Sequence, residues 1–131
     1  MLVLREAARV CRPGGRVVIG DHYAPEEDER QAAMNTLERF RDPTHATSLK
    51  DSQMQELLRA AGLRVVAVER IEIPRTLEEW ARIAHVSGER LAQLRQMLLE
   101  TMADDRAGLR PRWQDGQLWF THRWAVWVGE K

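Results

Sequence analysis

The chain has 131 residues and a mass of 15.2 kDa, a length that predicts one domain over residues 1–131. Its 20 basic and 20 acidic residues give a formal net charge of zero, so no overall field attracts nucleic acid or an anionic membrane. Hydrophobic residues make up 44% of the chain and charged residues 31%, which is ordinary globular usage and excludes wholesale disorder.

The first predicted elements are a helix and a strand. Apolar residues recur at helical spacing from Leu4 to Cys11 and predict an amphipathic helix, which the turn Pro13-Gly14-Gly15 ends. No capping side chain precedes this helix, so its start resembles a cut end. The β-branched run from Arg16 to Asp21 does not alternate with polar residues, which predicts an interior strand covered by helices on both faces.

Two helices are predicted next. Pro25 and the four acids after it are typical of a first helical turn, and the helix continues to about Arg41. Ser48 with Asp51 three residues later indicates a capped start for the following helix, which Gly62 ends.

The last third predicts strands separated by two helices. A strand runs from Leu63 to Ile73, Thr76 begins a short capped helix, and Ser87 begins a longer one. Asp115-Gly116 is a strong hairpin signal ahead of the long strand from Gln117 to Gly129, which is therefore expected to be antiparallel to its neighbours. The pattern predicts an α/β layer architecture with a mixed sheet.

Three segments resemble the class I S-adenosylmethionine-dependent methyltransferases. Leu4 to Asp21 is similar to the helix, Pro-Gly-Gly turn and fifth strand of that family. Arg41-Asp42-Pro43-Thr44-His45 resembles an Arg-Asp-Pro-Ser-His run of one branch, with threonine in place of serine. Trp119 to Lys131 is similar to the seventh, antiparallel strand. The resemblance implies a three-layer, partial Rossmann-like methyltransferase fold, with a mixed sheet of the last three strands in the order 5-7-6 and flanking helices.

The resemblance also implies which half of the enzyme is present. The family binds its methyl donor with a glycine-rich turn and an acid that precede the matched region, so we expect this chain to be the C-terminal, acceptor-substrate half of a small-molecule methyltransferase. Gly14-Gly15 precedes a strand and does not replace the missing turn. S-adenosylmethionine is expected in the intact family enzyme, and neither cofactor binding nor catalysis is expected of this chain alone.

The resemblance places the loop Asp21-His22-Tyr23 at the reaction centre. His22 is a candidate base, because its ordinary pKa of about 6.5 suits proton transfer at neutral pH; a simple pairing with Asp21 or solvent is the alternative. Asp21, Tyr23 and His45 are predicted to bind the substrate. The alternative for His45 is to hold the turn after Pro43.

Two other residue sets have structural interpretations. The five tryptophans could form the wall of an aromatic pocket, but aromatic residues on strands and capped helices usually fill cores, which we favour. Alternation puts Trp119 and Trp127 on one face of the last strand and Trp124 on the other. No two histidines stand four apart on a helix and no second cysteine accompanies Cys11, so no metal site is predicted.

Alternatives to the methyltransferase half stay open. The chain could be a non-catalytic dimerising or partner-binding module derived from a methyltransferase, or an unrelated α/β ligand-binding protein. The expected partners are a small-molecule acceptor and either a second copy, joined through the strand Arg16 to Asp21, or a missing N-terminal half. Short apolar stretches and the absence of a leader predict a soluble cytoplasmic protein, bound to neither nucleic acid nor membrane.

Overall fold

The computed structural model describes residues 2–131; Met1, which enters the expectation of a cut helix start, lies outside this range. The helices and strands are, in chain order, α1 (Leu2–Val10), β1 (Arg16–His22), α2 (Asp28–Arg41), α3 (Asp51–Ala60), β2 (Arg64–Thr76), α4 (Leu77–Ile83), α5 (Gly88–Glu100), β3 (Arg112–Gln114) and β4 (Gln117–Glu130). None of the described helices is long and apolar enough to cross a membrane.

The long strand β4 lies at the centre of the sheet. It pairs with β1 along one edge and β2 along the other, and its first residues pair with β3. Asp115 and Gly116 have φ angles of 51° and 73°, the left-handed conformation of a tight hairpin turn, so the predicted hairpin is confirmed. All ladders between the named strands are antiparallel. The expectation of a mixed sheet is therefore wrong, because β4 separates β1 from β2.

Helices cover both faces of this open antiparallel sheet. On one face, α1 and α3 pack on β4 through Leu4, Ala8, Met54, Leu58 and Trp127. On the other face, α2, α4 and α5 pack on the first half of β4 through a larger apolar cluster that includes Leu37, Trp80, Leu94, Leu98 and Phe120. Because successive side chains of a strand point to opposite faces, the even-numbered residues of β4 serve this second cluster and the odd-numbered ones the first.

The sequence predicts helices on both faces of β1, but helices cover the strand only in part. Burial alternates along the strand, and Val18 is 60% exposed. Ile71 and Val126 are also exposed and lie on the same face as Val18 by strand register. Among residues 2–131, no helix covers this end of that face, so the prediction of two covered faces is wrong. A β-branched run indicates a strand, but it does not report which helices lie against it.

The start of α3 also differs from the prediction. The helix begins at Asp51, and the side chain of Gln53 accepts a hydrogen bond of 3.0 Å from the backbone N–H of Lys50. Ser48 lies before this turn, is 2% exposed and has other hydrogen-bond partners. Ser48 therefore does not cap α3, and its side chain can bond to groups outside this helix.

Candidate functional site

Three of the four histidines converge where β1 ends. His22 is the last residue of β1, His122 lies on β4, and His45 lies in the loop between α2 and α3. The ring centroid of His22 is 5.7 Å from that of His45 and 5.4 Å from that of His122. His85 follows α4, is exposed and is not one of these three. The sheet and one loop thus bring together residues that are far apart in sequence.

A buried carboxylate lies beside these rings. Glu38 is 1% exposed because it belongs to the inward stripe of α2 together with Met34 and Leu37. Its Oε1 is 3.1 Å from His122 Nε2 and 3.5 Å from His22 Nε2. Its Oε2 accepts a hydrogen bond of 3.0 Å from Arg41. We call Glu38 and these three histidines, His22, His45 and His122, the histidine–glutamate cluster.

An ion-pair contact with Asp21 and hydrogen bonds with Ser48 surround the rings of His22 and His45. His22 Nδ1 lies 3.0 Å from the carboxylate oxygen Oδ1 of Asp21, and its Nε2 lies 2.9 Å from Ser48 Oγ. The same hydroxyl is 3.2 Å from His45 Nε2. Ser48 is itself fixed, because its backbone N–H donates to Asn35 Oδ1 at 2.6 Å. Ser48 therefore connects two histidines and does not cap α3.

The electrostatics of the cluster follow from burial and from these contacts. Burial raises the pKa of Glu38, but the hydrogen bond from His122 and the nearby charges of His22 and Arg41 outweigh it and lower that pKa to about 2. Burial lowers the pKa of His122 and of His45, against the attraction of Glu38. At neutral pH the cluster therefore contains an ionised carboxylate beside two neutral imidazoles.

A cavity of about 240 Å³ opens beside the cluster. It is lined by His22, Glu38, Arg41, Arg75, Trp80, Ile83, His122 and Trp124. The Arg41 guanidinium lies 5.2 Å from the centre of the Trp80 ring. The cavity thus combines aromatic walls with two arginines and the polar cluster, which suits a small organic molecule with polar groups.

The predicted site residues separate in the structure. Asp21, His22 and His45 come together as described above. Tyr23 does not line the cavity: its ring packs against Trp127, with centroids 6.2 Å apart, in the cluster under α1 and α3. Its predicted role in substrate binding is not tested by this placement, and nothing in the cavity supports it.

Sequence reasoning missed Glu38, Ser48 and His122. Two of them do leave a signal, since Glu38 interrupts an apolar helix stripe and His122 shares a strand face with Phe120. A polar residue at a core-facing position requires a buried partner, and such a position marks a candidate site.

The tryptophans lie in different environments, and Trp80 belongs both to the core and to the wall of the cavity. Trp80 and Trp127 are 2% and 1% exposed and belong to the two apolar clusters, as the core interpretation expects. Trp124 lines the cavity, whereas Trp113 is 50% exposed.

The fold also creates a metal-ligand geometry that local spacing does not show. One ligand atom each from His22, Glu38 and His45 lie within 4.8 Å of one another. Spacing along one helix does not reveal these ligands, because they come from a strand, a helix and a loop. The expected absence of a metal stays a prediction.

The fold is that of solved methyltransferase-like proteins. The structure of BH2331 from Bacillus halodurans C-125, described as a candidate methyltransferase, matches 98% of this chain with a TM-score of 0.89 and 23% identity. The structure of YcgJ from Bacillus subtilis matches 98% of the chain with a TM-score of 0.87 and 25% identity. The chain covers 61% and 56% of those two proteins.

Sequence comparison identifies the same group. Over 91 residues, 70% of its length, the chain is 31% identical to "Uncharacterized methyltransferase YcgJ" of Bacillus subtilis (strain 168). Over 77 residues it is 29% identical to "Uncharacterized protein YafE" of Escherichia coli (strain K12). It spans 36% and 37% of these curated relatives, and no family model matches it. The resemblance to the C-terminal half of a class I methyltransferase is thereby confirmed.

Proposed function

We propose that this chain is the acceptor-substrate half of an S-adenosylmethionine-dependent methyltransferase, and that the cavity beside the histidine–glutamate cluster holds a small-molecule acceptor. The observation that carries the proposal is the position of the cavity at the carboxyl end of β1, in a fold shared with methyltransferase-like proteins. In open α/β sheets, ligands bind at that end of the strands.

The chemistry asked of this half is binding, orientation and proton removal. S-adenosylmethionine, when bound, supplies the methyl group, and transfer proceeds by in-line displacement. In the proposal, Trp80 and Trp124 hold the acceptor and exclude water. His22 Nε2 takes the proton of the acceptor, while the negative charge of Asp21, 3.0 Å from Nδ1, favours the proton on Nδ1 and the lone pair on Nε2.

The Gly14-Gly15 turn does not fit the methyl donor. The Gly14 backbone N–H donates to the Lys131 carbonyl, and the Gly15 N–H donates to the Arg12 carbonyl, both at 2.8 Å. Because these amides already have backbone partners, the turn offers no cradle for an anionic group. The proposal therefore assigns donor binding to the part of the methyltransferase fold that this chain does not match.

Calorimetry tests whether donor binding belongs to the part of the fold that this chain does not match. Titration of the 131-residue chain with S-adenosylmethionine should give no saturable heat. A chimera that joins the chain to the unmatched N-terminal part of YcgJ should bind the donor at micromolar concentrations. Saturable binding by the folded chain alone would contradict the proposal, as would a folded chimera, verified by circular dichroism, that does not bind.

A second part of the proposal concerns the free edge of β1. One edge of this strand pairs with β4, and no described strand pairs with the other. Val18 is exposed there, as are Leu2, Val3 and Val10 of the adjacent helix α1. An unpaired apolar strand invites pairing. The isolated chain is therefore proposed to form a homodimer through β1, at an edge that the remaining half would occupy in an intact enzyme.

A further inference from the structure

We propose that His22, His45 and Glu38 form a binding site for one divalent transition-metal ion of the Zn²⁺ type. The three side chains come from the end of β1, from the loop after α2 and from the buried face of α2. One ligand atom of each lies within 4.8 Å of the other two. The site is proposed from these side chains alone, and its test does not require methyl transfer.

The first argument is the orientation of His22. Its Nδ1 lies 3.0 Å from the Asp21 carboxylate, whose negative charge favours a proton on Nδ1 and a lone pair on Nε2. That nitrogen points toward Ser48 and Glu38. A carboxylate beside the second ring nitrogen is common for a metal-ligating histidine, because its charge raises the basicity of the ring.

The second argument is the division of the Glu38 carboxylate. Arg41 engages Oε2, which leaves Oε1 directed at the histidines. Oε1 is 3.5 Å from His22 Nε2, so the two atoms are close enough to bind the same ion. His122 Nε2 donates to the same oxygen at 3.1 Å and so orients it, as hydrogen-bonded partners commonly do for a ligating carboxylate.

The third argument is the match between the donor set and the ion. Bonds of about 2.0–2.1 Å in tetrahedral geometry separate neighbouring ligand atoms by about 3.3 Å, close to the His22–Glu38 distance. Two imidazoles and one carboxylate are a donor set used for Zn²⁺, with water in the remaining position. The neighbouring cavity supplies space for that water.

Metal binding would replace one hydrogen-bond arrangement with another. In the structure, Ser48 Oγ lies between His22 Nε2 and His45 Nε2, at 2.9 Å and 3.2 Å. With an ion bound, both nitrogens turn from the hydroxyl to the metal. The ion and the acceptor proton of the proposed function use the same nitrogen of His22, so the two roles exclude each other in time.

Titration of the 131-residue chain, freed of any histidine tag and of bound metal, tests the site. We expect saturable binding of one Zn²⁺ per chain at micromolar concentrations by calorimetry. Co²⁺ in place of Zn²⁺ should produce the intense visible bands of a four-coordinate ion. A folded chain without saturable Zn²⁺ binding, or with only the weak spectrum of hydrated Co²⁺, would overturn the proposal.

Variants place the ion at the cluster. His45→Gln removes a half-buried ligand from a loop and should weaken Zn²⁺ binding at least about tenfold and abolish the Co²⁺ bands. His85→Asn is the matched control, because His85 is exposed and has a φ of 57°, which asparagine tolerates. It should bind as the unmodified chain does. Equal affinity in His45→Gln and the unmodified chain would overturn the proposal.

Discussion

The two faces of the sheet use buried polar groups in different ways. Under α1 and α3, the Asp51 carboxylate accepts from Trp127 Nε1 at 2.6 Å, from Gln55 and from Arg70. On the opposite face, Glu38 shares one oxygen between two histidines, and His122 Nδ1 has no partner among the described residues. A carboxylate whose oxygens accept several hydrogen bonds holds the neighbouring helices and strands together. A cluster with a spare lone pair beside a cavity can act on a ligand.

Activity should separate the two faces most strongly. In a donor-binding chimera or intact enzyme, His22→Ala should lower kcat by roughly 10² to 10⁴ and leave donor affinity unchanged. Trp127→Phe removes the indole N–H on the other face and should leave kcat close to that of the unmodified enzyme. Steady-state kinetics with a turned-over acceptor measures both. Unchanged turnover in His22→Ala would return this histidine to a structural role.

Acid should act on two groups of the histidine–glutamate cluster over different pH ranges. His122 has a lowered pKa in the folded chain, so below about pH 6.5 the unfolded chain binds a proton that the folded chain does not, and stability falls. Glu38 has its pKa lowered from 4.5 to about 2, so its contribution is complete above about pH 4.5 and is lost as the pH falls to about 2. That contribution is about 3 kcal/mol by linkage.

Urea unfolding across this pH range measures the effect. Glu38→Gln should remove most of the loss between about pH 4.5 and 2, because the glutamine does not titrate. Asp51→Asn should preserve that loss while it removes a smaller one below about pH 3.8, since the pKa of Asp51 is also lowered. If the two variants respond alike, Glu38 is not the group that titrates on its face.

Local signals predicted much of the fold. Asp115-Gly116 specifies its hairpin through left-handed dihedral angles, and Thr76 accepts a hydrogen bond from the Glu79 backbone at the start of α4. The pairing of Glu38 with His122 has no local signal, because 84 positions separate them and only the packing of α2 on β4 joins them. The exposure of Val18 on β1 has no local signal either, because it depends on which helices pack against that face of the sheet.

The polar contact under α1 and α3 should contribute to stability alone. Asp51→Ala leaves the buried Trp127 N–H without a partner, which costs about 1–3 kcal/mol of the free energy of unfolding. Glu69→Ala is the control, an exposed carboxylate on β2 that should change stability by less than about 0.5 kcal/mol. Chemical denaturation at neutral pH compares the two variants. An equal loss of the free energy of unfolding would show that Asp51 does not stabilise the fold through Trp127.

A substitution at Val18 should have the smallest effect on folding and a clear effect on association. Val18 lies on the same sheet face as the histidine–glutamate cluster, at the end that no described helix covers. Val18→Lys should change the free energy of unfolding of one chain by less than about 0.5 kcal/mol, because Val18 is 60% exposed. A homodimer through the free edge of β1 would bring each lysine close to its copy, and like charges at such an isologous contact disfavour pairing.

Ile71→Lys is the matched control, because Ile71 is exposed on the same face but lies on β2, across β4 from that edge. Light scattering at micromolar concentration should report a dimer for the unmodified chain and for Ile71→Lys, and a monomer for Val18→Lys. A monomeric unmodified chain, or a dimer that both lysines leave intact, would remove β1 as the contact.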